Sequence, residues 1–284
     1  MEVGFSIDPA QGLSREDELN CVRRAAELGF QSAWTPAQAD ASAFDRCLAW
    51  HEACRLPTGV AAVPASGQSP EFYAEQAIRV WQASGGNFVL GVGSGQLEHP
   101  ASAMPDYLAK LRRLVPPGLP VYVAALGPRM LKVAAETGDG VLLNWCSTAQ
   151  VAWSRAQVEQ AASRAGRPTP PIVEYVRTAV DAKPAAAAAA LAAAARSYAL
   201  GPSAYRRHFA RMGFSGEFAD PVSAAEGSSP AFPSAFGAWG APGLVRGQFL
   251  GLAAGLDCAI VRVLVREPGD VGSALLVLEE CRPA

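Results

Sequence analysis

Four short stretches place ligand-binding groups directly after an apolar run. Leu126-Gly127-Pro128-Arg129 follows the run Pro120–Ala125 and opens a segment of helical period. Pro128 suits a first helical position, where the amide it lacks has no partner, and Gly127 lets the backbone turn and approach a ligand closely. Arg129 adds a fork of donors. With the positive end of a helix dipole, these residues describe a phosphate or carboxylate seat; the same Gly-Pro pair also serves simply to stop a strand and start a helix.

The second stretch, "GVGSGQLEH", has glycines at 91, 93 and 95, but Glu98 occupies the place of the last glycine in a dinucleotide fingerprint. Gly93, Ser94 and Gly95 still form a loop able to cradle an anion. In the third, "TGVAAVP", Gly59-Val60 interrupts a strand pattern, which marks either a bulge, a close backbone approach or a small core residue. The fourth, "NWCST", offers the Asn144 amide and the Trp145 ring.

Eight apolar runs position these groups: Val3–Ile7, Ser32–Thr35, Pro57–Val63, Phe88–Val92, Pro120–Ala125, Gly140–Asn144, Ile172–Val180 and Ala259–Val265. Between the first two, Ser14 can cap a helix whose Leu19, Val22, Ala26 and Leu28 form an apolar stripe ending at Gly29. Similar periods span 72–84, 106–115, 130–137, 149–165, 184–200 and 244–254. Strand and helix alternating to eight strands predict a single-domain (β/α)₈ TIM barrel, with an open doubly wound sheet as the alternative. In such a barrel the working groups follow the strands' C-terminal ends, where all four stretches lie. "PAAAAAALAAAA" reads as an outer helix without chemistry, with Leu191, Ala195 and Tyr198 on one face. Residues 217–238 read as an irregular Ser/Pro/Ala-rich loop, either a lid or a mobile excursion.

The chain's 284 residues suffice for a substantial core, and its formal charge of −2, spread along the sequence, argues against nucleic acid or a membrane surface as partner. Six cysteines without CxxC spacing and three histidines argue against zinc and for a reducing, cytoplasmic home. A small-molecule substrate is expected, and no metal.

The same stretches carry a resemblance. "AAELGFQSAW", "LPTGVAAVP", "ASGGNFVLGVGSG", "PVYVAALGPRMLKVAAETGDGVLLNW", "SAYRRHFARMGF" and "GLDCAIVRVLV" resemble the bacterial-luciferase-like monooxygenase superfamily, and within it the oxidoreductases that use the deazaflavin coenzyme F420 (8-hydroxy-5-deazaflavin). The resemblance implies a (β/α)₈ barrel and hydride transfer to or from a small organic substrate. It implies a non-prolyl cis peptide in the third strand, matched here by Gly59-Val60, behind the isoalloxazine-like ring. It implies that Gly93, Ser94 and Gly95, with Ala125, Leu126, Gly127 and Pro128, hold the ribityl chain and phosphate, Arg129 adding charge. A homodimer is a further implication.

Departures from the family pattern keep two alternatives open: an FMN-dependent monooxygenase, and a degenerate barrel that binds a flavin-like or phosphorylated ligand without turnover. Ala37 and Gln38 stand where many relatives carry an acid-histidine pair, so the usual proton donor is missing. Gln96 replaces a glutamate, with Glu98 and His99 as substitutes or a solvated pair, and Ser147 replaces a lysine. Arg177 is expected either at the barrel mouth, facing an anion, or buried as a structural group. Arg206, Arg207 and His208 read as a helix surface without chemistry.

Overall fold

The computed structural model describes residues 1–201, 203–214 and 231–284. Its strands are β1 (Glu2–Ile7), β2 (Ser32–Thr35), β3 (Thr58–Pro64), β4 (Phe88–Gly93), β5 (Val121–Ala124), β6 (Gly140–Asn144), β7 (Ile172–Val180), β8 (Gly237–Gly240) and β9 (Cys258–Val263). β1 to β7 pair in sequence order, all parallel; β9 pairs with β7 on one side and β1 on the other. Those eight strands close the barrel, as expected. β7 is longer than its neighbour: Ile172–Tyr175 lie against the residues 141–144 of β6, whereas Arg177–Val180 lie against β8. All nine β7 residues are buried, as a parallel strand covered on both faces requires.

The described helices are α1 (Arg15–Glu27), α2 (Ser42–Cys54), α3 (Pro70–Ala83), α4 (Pro100–Leu114), α5 (Pro128–Thr137), α6 (Thr148–Arg164), α7 (Pro184–Ala199), α8 (Ser203–Arg211), α9 (Ala231–Ser234), α10 (Val245–Leu252) and α11 (Val271–Glu280). Ser14 caps α1 by accepting the Asp17 amide at 3.1 Å. The fully buried face of α1 is Cys21, Val22 and Ala25, with Leu19 and Leu28 only partly covered at its edges. α2, α11 and β8 lack a sequence signal strong enough to be expected. Residues 217–230 of the expected irregular loop lie outside the described residues; the described part is a correction, since α9 and the start of β8 occupy 231–238.

Three apolar clusters divide the interior. The largest lies between the barrel wall and the helices and includes Phe5, Phe44, Trp50 and Phe88. A small one fills the barrel with Trp34, Leu142, Val173, Tyr175, Cys258 and Ile260. The third packs α7, α8 and α9 onto the second half of β7 and β8 through Trp145, Leu191, Phe209, Phe232 and Phe236. A buried leucine or phenylalanine contributes about 1.5–3 kcal/mol, so this third cluster is a substantial core of its own. Among the described residues no helix is long and apolar enough to cross a membrane.

Candidate active site

A cavity of about 1320 Å³ opens at the C-terminal ends of the strands. One side is built from backbone. The loop after β4 brings Gly93, Ser94 and Gly95 to the cavity, and the loop after β5 brings Ala125 to Arg129. Gly95 has φ +59, and a Cβ there would collide with the Ser66 side chain and Pro64; only glycine meets both conditions without strain. Ser66 Oγ in turn accepts the Gln96 amide at 2.9 Å, pinning the loop to the one after β3. Gly127 is the N-cap of α5, Pro128 its first residue, and no side chain caps that end. The positive end of the helix therefore faces the cavity with its first amides available. Arg129 is exposed on the rim.

β3 contains the expected irregularity, two residues further along. Gly59-Val60 is not the cis bond; the non-prolyl cis peptide is Ala61-Ala62, inside a register shift between Val60 and Val63. Ala61 and Ala62 line the cavity, whereas Gly59 and Val60 do not. Gly59 has a packing reason instead: the Trp34 indole occupies the space of its missing Cβ.

The opposite side of the cavity is built from side chains. Arg177 is buried, 1% exposed, and does not face an open mouth. It donates to Asn144 Oδ1, and its guanidinium lies 4.0 Å from the Trp145 ring centroid and 5.0 Å from that of Tyr198. One of its terminal nitrogens has no hydrogen-bond partner. Burial lowers the Arg177 pKa to about 10, with the nearby Arg262 charge adding to the effect. Arg262 is paired with Asp8 and lies 4.8 Å from the Tyr175 ring centroid. Despite burial, which would raise it, the Arg262 charge holds the Asp8 carboxyl below its ordinary value. Asn144 lines the cavity and donates from Nδ2 to the Tyr205 hydroxyl at 2.6 Å. The Tyr198 and Tyr205 rings meet edge to face at 4.8 Å, and both line the cavity. Trp145 is fully buried beneath them, so its ring is a support for Arg177 and offers no face to a ligand.

Glu174 also lines the cavity; it accepts the Cys146 amide at 2.6 Å, while its other oxygen is buried without a partner. Burial pushes the Glu174 pKa up to about 8. His208 is fully buried, contrary to the helix-surface expectation. Its Nε2 donates to the Trp145 carbonyl at 2.9 Å and its Nδ1 accepts from Arg211 at 3.2 Å, which fixes the neutral tautomer. Burial, reinforced by the Arg211 charge, lowers the His208 pKa to about 4. Arg211 donates to the Leu126 carbonyl at 2.6 Å, tying α8 to the loop that caps α5. Arg207 also lines the cavity, a second correction to the reading of "AYRRHF"; Arg206 is an exposed helix residue as expected.

The substituted positions are resolved too. Ala37 lines the cavity with a methyl group beside Pro36 and Ala39, and Gln38 is exposed outside it. His99 lines the rim, and Glu98 does not. Ser147 is the N-cap of α6, accepting the Gln150 amide at 3.2 Å. Nothing in the sequence marked Asp8, Arg262, Tyr175, Tyr198, Tyr205 or Arg211 as site residues, because isolated residues on strands and helices carry no local spacing signal.

The geometry has counterparts among known proteins. The 5,10-methylenetetrahydromethanopterin reductase of Archaeoglobus fulgidus is 27% identical over 35% of this chain and 40% of its own length. The match thus spans well under half of that relative. The structure of an F420-dependent secondary alcohol dehydrogenase, in complex with an F420-acetone adduct, superposes over 99% of this chain and 97% of its own at a TM-score of 0.76 with 16% identity. The FMN-bound oxygenating constituent of 3,6-diketocamphane monooxygenase from Pseudomonas putida covers 100% and 99% at a TM-score of 0.67 with 13% identity. At these identities the superpositions establish the barrel. The model of the luciferase-like monooxygenase family matches residues 98–251, more than half of the chain, including the loop after β5 that carries Gly127, Pro128 and Arg129. The chain belongs to the luciferase-like monooxygenase family.

Proposed function

We propose that the protein is an oxidoreductase that uses coenzyme F420 for hydride transfer to or from a small organic substrate. The observation that carries this reading is the uncapped N-terminus of α5, with Gly127, Pro128 and Arg129, opening onto a cavity large enough for a tricyclic ring and a substrate. The residues fit such a cofactor. A phosphate would take the first α5 amides and the Arg129 charge, with Gly93 and Gly95 leaving room for a polyol chain. Leu142, Val173 and Ile260, with Ala61 and Ala62 on the β3 bulge, line the cavity and would give the ring apolar contacts.

When bound, the deazaflavin supplies the hydride; the chain supplies position, water exclusion and proton handling. The apolar contacts keep water from the reacting carbon. Ala37 and Gln38 leave the β2 side without a proton donor, so that task falls to the side-chain wall or the substrate itself.

A fluorescence titration of the purified protein with F420, FMN and the deazaflavin core lacking its phosphate tail tests the reading. F420 is expected to bind, with affinity lost for the tail-less core and reduced in Arg129→Ala. Tighter binding of FMN moves the protein to the monooxygenase reading. Binding of none of the three leaves the barrel without the redox function, and F420 binding without turnover across a substrate panel supports the degenerate barrel.

A further inference from the structure

We propose that Tyr198, on the last turn of α7, is the catalytic proton donor and acceptor of this cavity, and that the substrate carries a polar C=O or C=N bond reduced at carbon. The inference rests on the redox reading above and assigns it a residue and a substrate class.

The β2 loop contributes Pro36, Ala37 and Ala39, none of which moves a proton. Glu174 and Tyr175 line the cavity, but the Glu174 Oε2 and Tyr175 hydroxyl atoms are themselves buried and without a hydrogen-bond partner. The Tyr205 hydroxyl is engaged by Asn144, and burial pushes its pKa up to about 12. His99 sits on the exposed rim. Tyr198 is half-buried, lines the cavity, and has its ring centroid 5.0 Å from the Arg177 guanidinium, with the Arg262 charge also acting on it.

Charge explains why this phenol differs from the others. The titratable and charged groups acting on it are Asp8 after β1, Arg177 on β7, Arg262 on β9 and Tyr205 on α8; Glu174 acts on Arg177 in turn. Asp8 balances Arg262, and Glu174, with its pKa near 8, is largely protonated at neutral pH, so Arg177 has no anionic partner. Burial by itself would raise a phenol; the Arg177 and Arg262 charges outweigh it and hold Tyr198 below the ordinary tyrosine value. The tyrosinate left when Tyr198 gives up its proton meets the Arg177 and Arg262 charges.

The step balances. A hydride from the reduced deazaflavin forms the new C–H bond, the π pair of C=O or C=N moves to the heteroatom, and that atom takes the Tyr198 proton. The product is the alcohol or amine, the cofactor is oxidised by two electrons, and the tyrosinate held by Arg177 and Arg262 recovers its proton from solvent through the cavity. The reverse sequence runs oxidation.

Near-ultraviolet tyrosinate titration reads this without turnover. Wild type should show one of its six tyrosines ionising below the ordinary value of about 10. That phase should vanish in Tyr198→Phe, persist in Tyr107→Phe, and move upward in Arg177→Met, which keeps the phenol and removes the charge. Loading wild type with F420 should also move it upward, because a ring packed against the phenol dehydrates it. Absence of the low phase, its survival in Tyr198→Phe, or indifference to Arg177→Met or to loading overturns the assignment. The cofactor titration separates the two failures: binding without a low phase overturns Tyr198 alone, whereas binding of neither F420 nor FMN overturns the redox reading and this one with it.

Discussion

The two sides of the cavity are made differently. The side formed after β3, β4 and β5 is backbone: a bulge at Ala61-Ala62, a glycine at φ +59, and an uncapped helix end. The side formed by β6, β7, β9, α7 and α8, with Asp8 after β1, is side chain: two arginines, two tyrosines, an asparagine and a carboxylate. A backbone surface recognises what many ligands share, such as a phosphate; a side-chain surface sets reactivity, because its groups carry protons and charge. Substitutions on the first side should change affinity, and those on the second rate and stability.

The sharpest test of that division is Tyr198→Phe. Loss of a general acid or base typically costs about 10²–10⁴ in rate, so kcat should fall by about that factor while the Kd for F420, from fluorescence, stays within about twofold. Asp8→Ala follows. It leaves the buried Arg262 without its partner, and breaking one side of a buried pair costs about 3–5 kcal/mol, read as a lower denaturant midpoint.

The Glu174 carboxyl gives a pH signature. Its folded pKa, about 8, lies above the unfolded value, so between roughly pH 4.5 and 8 the unfolded state binds fewer protons and stability falls as pH rises, by at most about 1.4 kcal/mol per unit. Glu174→Gln should abolish that decline in denaturation curves. His208 acts in the opposite sense: its lowered pKa makes stability fall as pH drops from about 6.5 towards 4.

On the backbone side the effects should be smaller. Gly95→Ala puts a side chain on a left-handed residue at a cost of about 1–2 kcal/mol, and its clash with Ser66 should weaken F420 binding about tenfold with kcat retained. Arg129→Ala, at an exposed helix start, should weaken it by about two- to fivefold, an effect that shrinks with added salt. A large kcat loss from either glycine or arginine change, or a large Kd loss from Tyr198→Phe, would break the division.

That division also accounts for what the sequence reveals. The barrel is legible because each of its eight strands is an apolar run and most outer helices, though not α2 or α11, are periodic. The loops after β4 and β5 are legible because Gly and Pro signal backbone geometry locally. The β3 bulge is legible only to within two residues, since Gly59 advertises a close approach and the approaching group is Trp34. The side-chain wall is legible only at Asn144 and Arg177: Asp8 and Arg262 are 254 positions apart, and Tyr198 ends an alanine-rich helix that reads as inert. β8 escapes notice because "GAWG" is too short to show alternation.

The length of β7 has a consequence for how such proteins diverge. The ring of strands closes through β9 without β8, and the aromatic cluster over the second half of β7 holds α7, α8 and α9 as one packed piece. That piece can be exchanged by recombination with the barrel left whole. Cofactor affinity would then be inherited with the barrel's loops after β3, β4 and β5, and the Tyr198 and Tyr205 side of the cavity with the exchanged piece, so the reaction run by a descendant could change while its coenzyme does not.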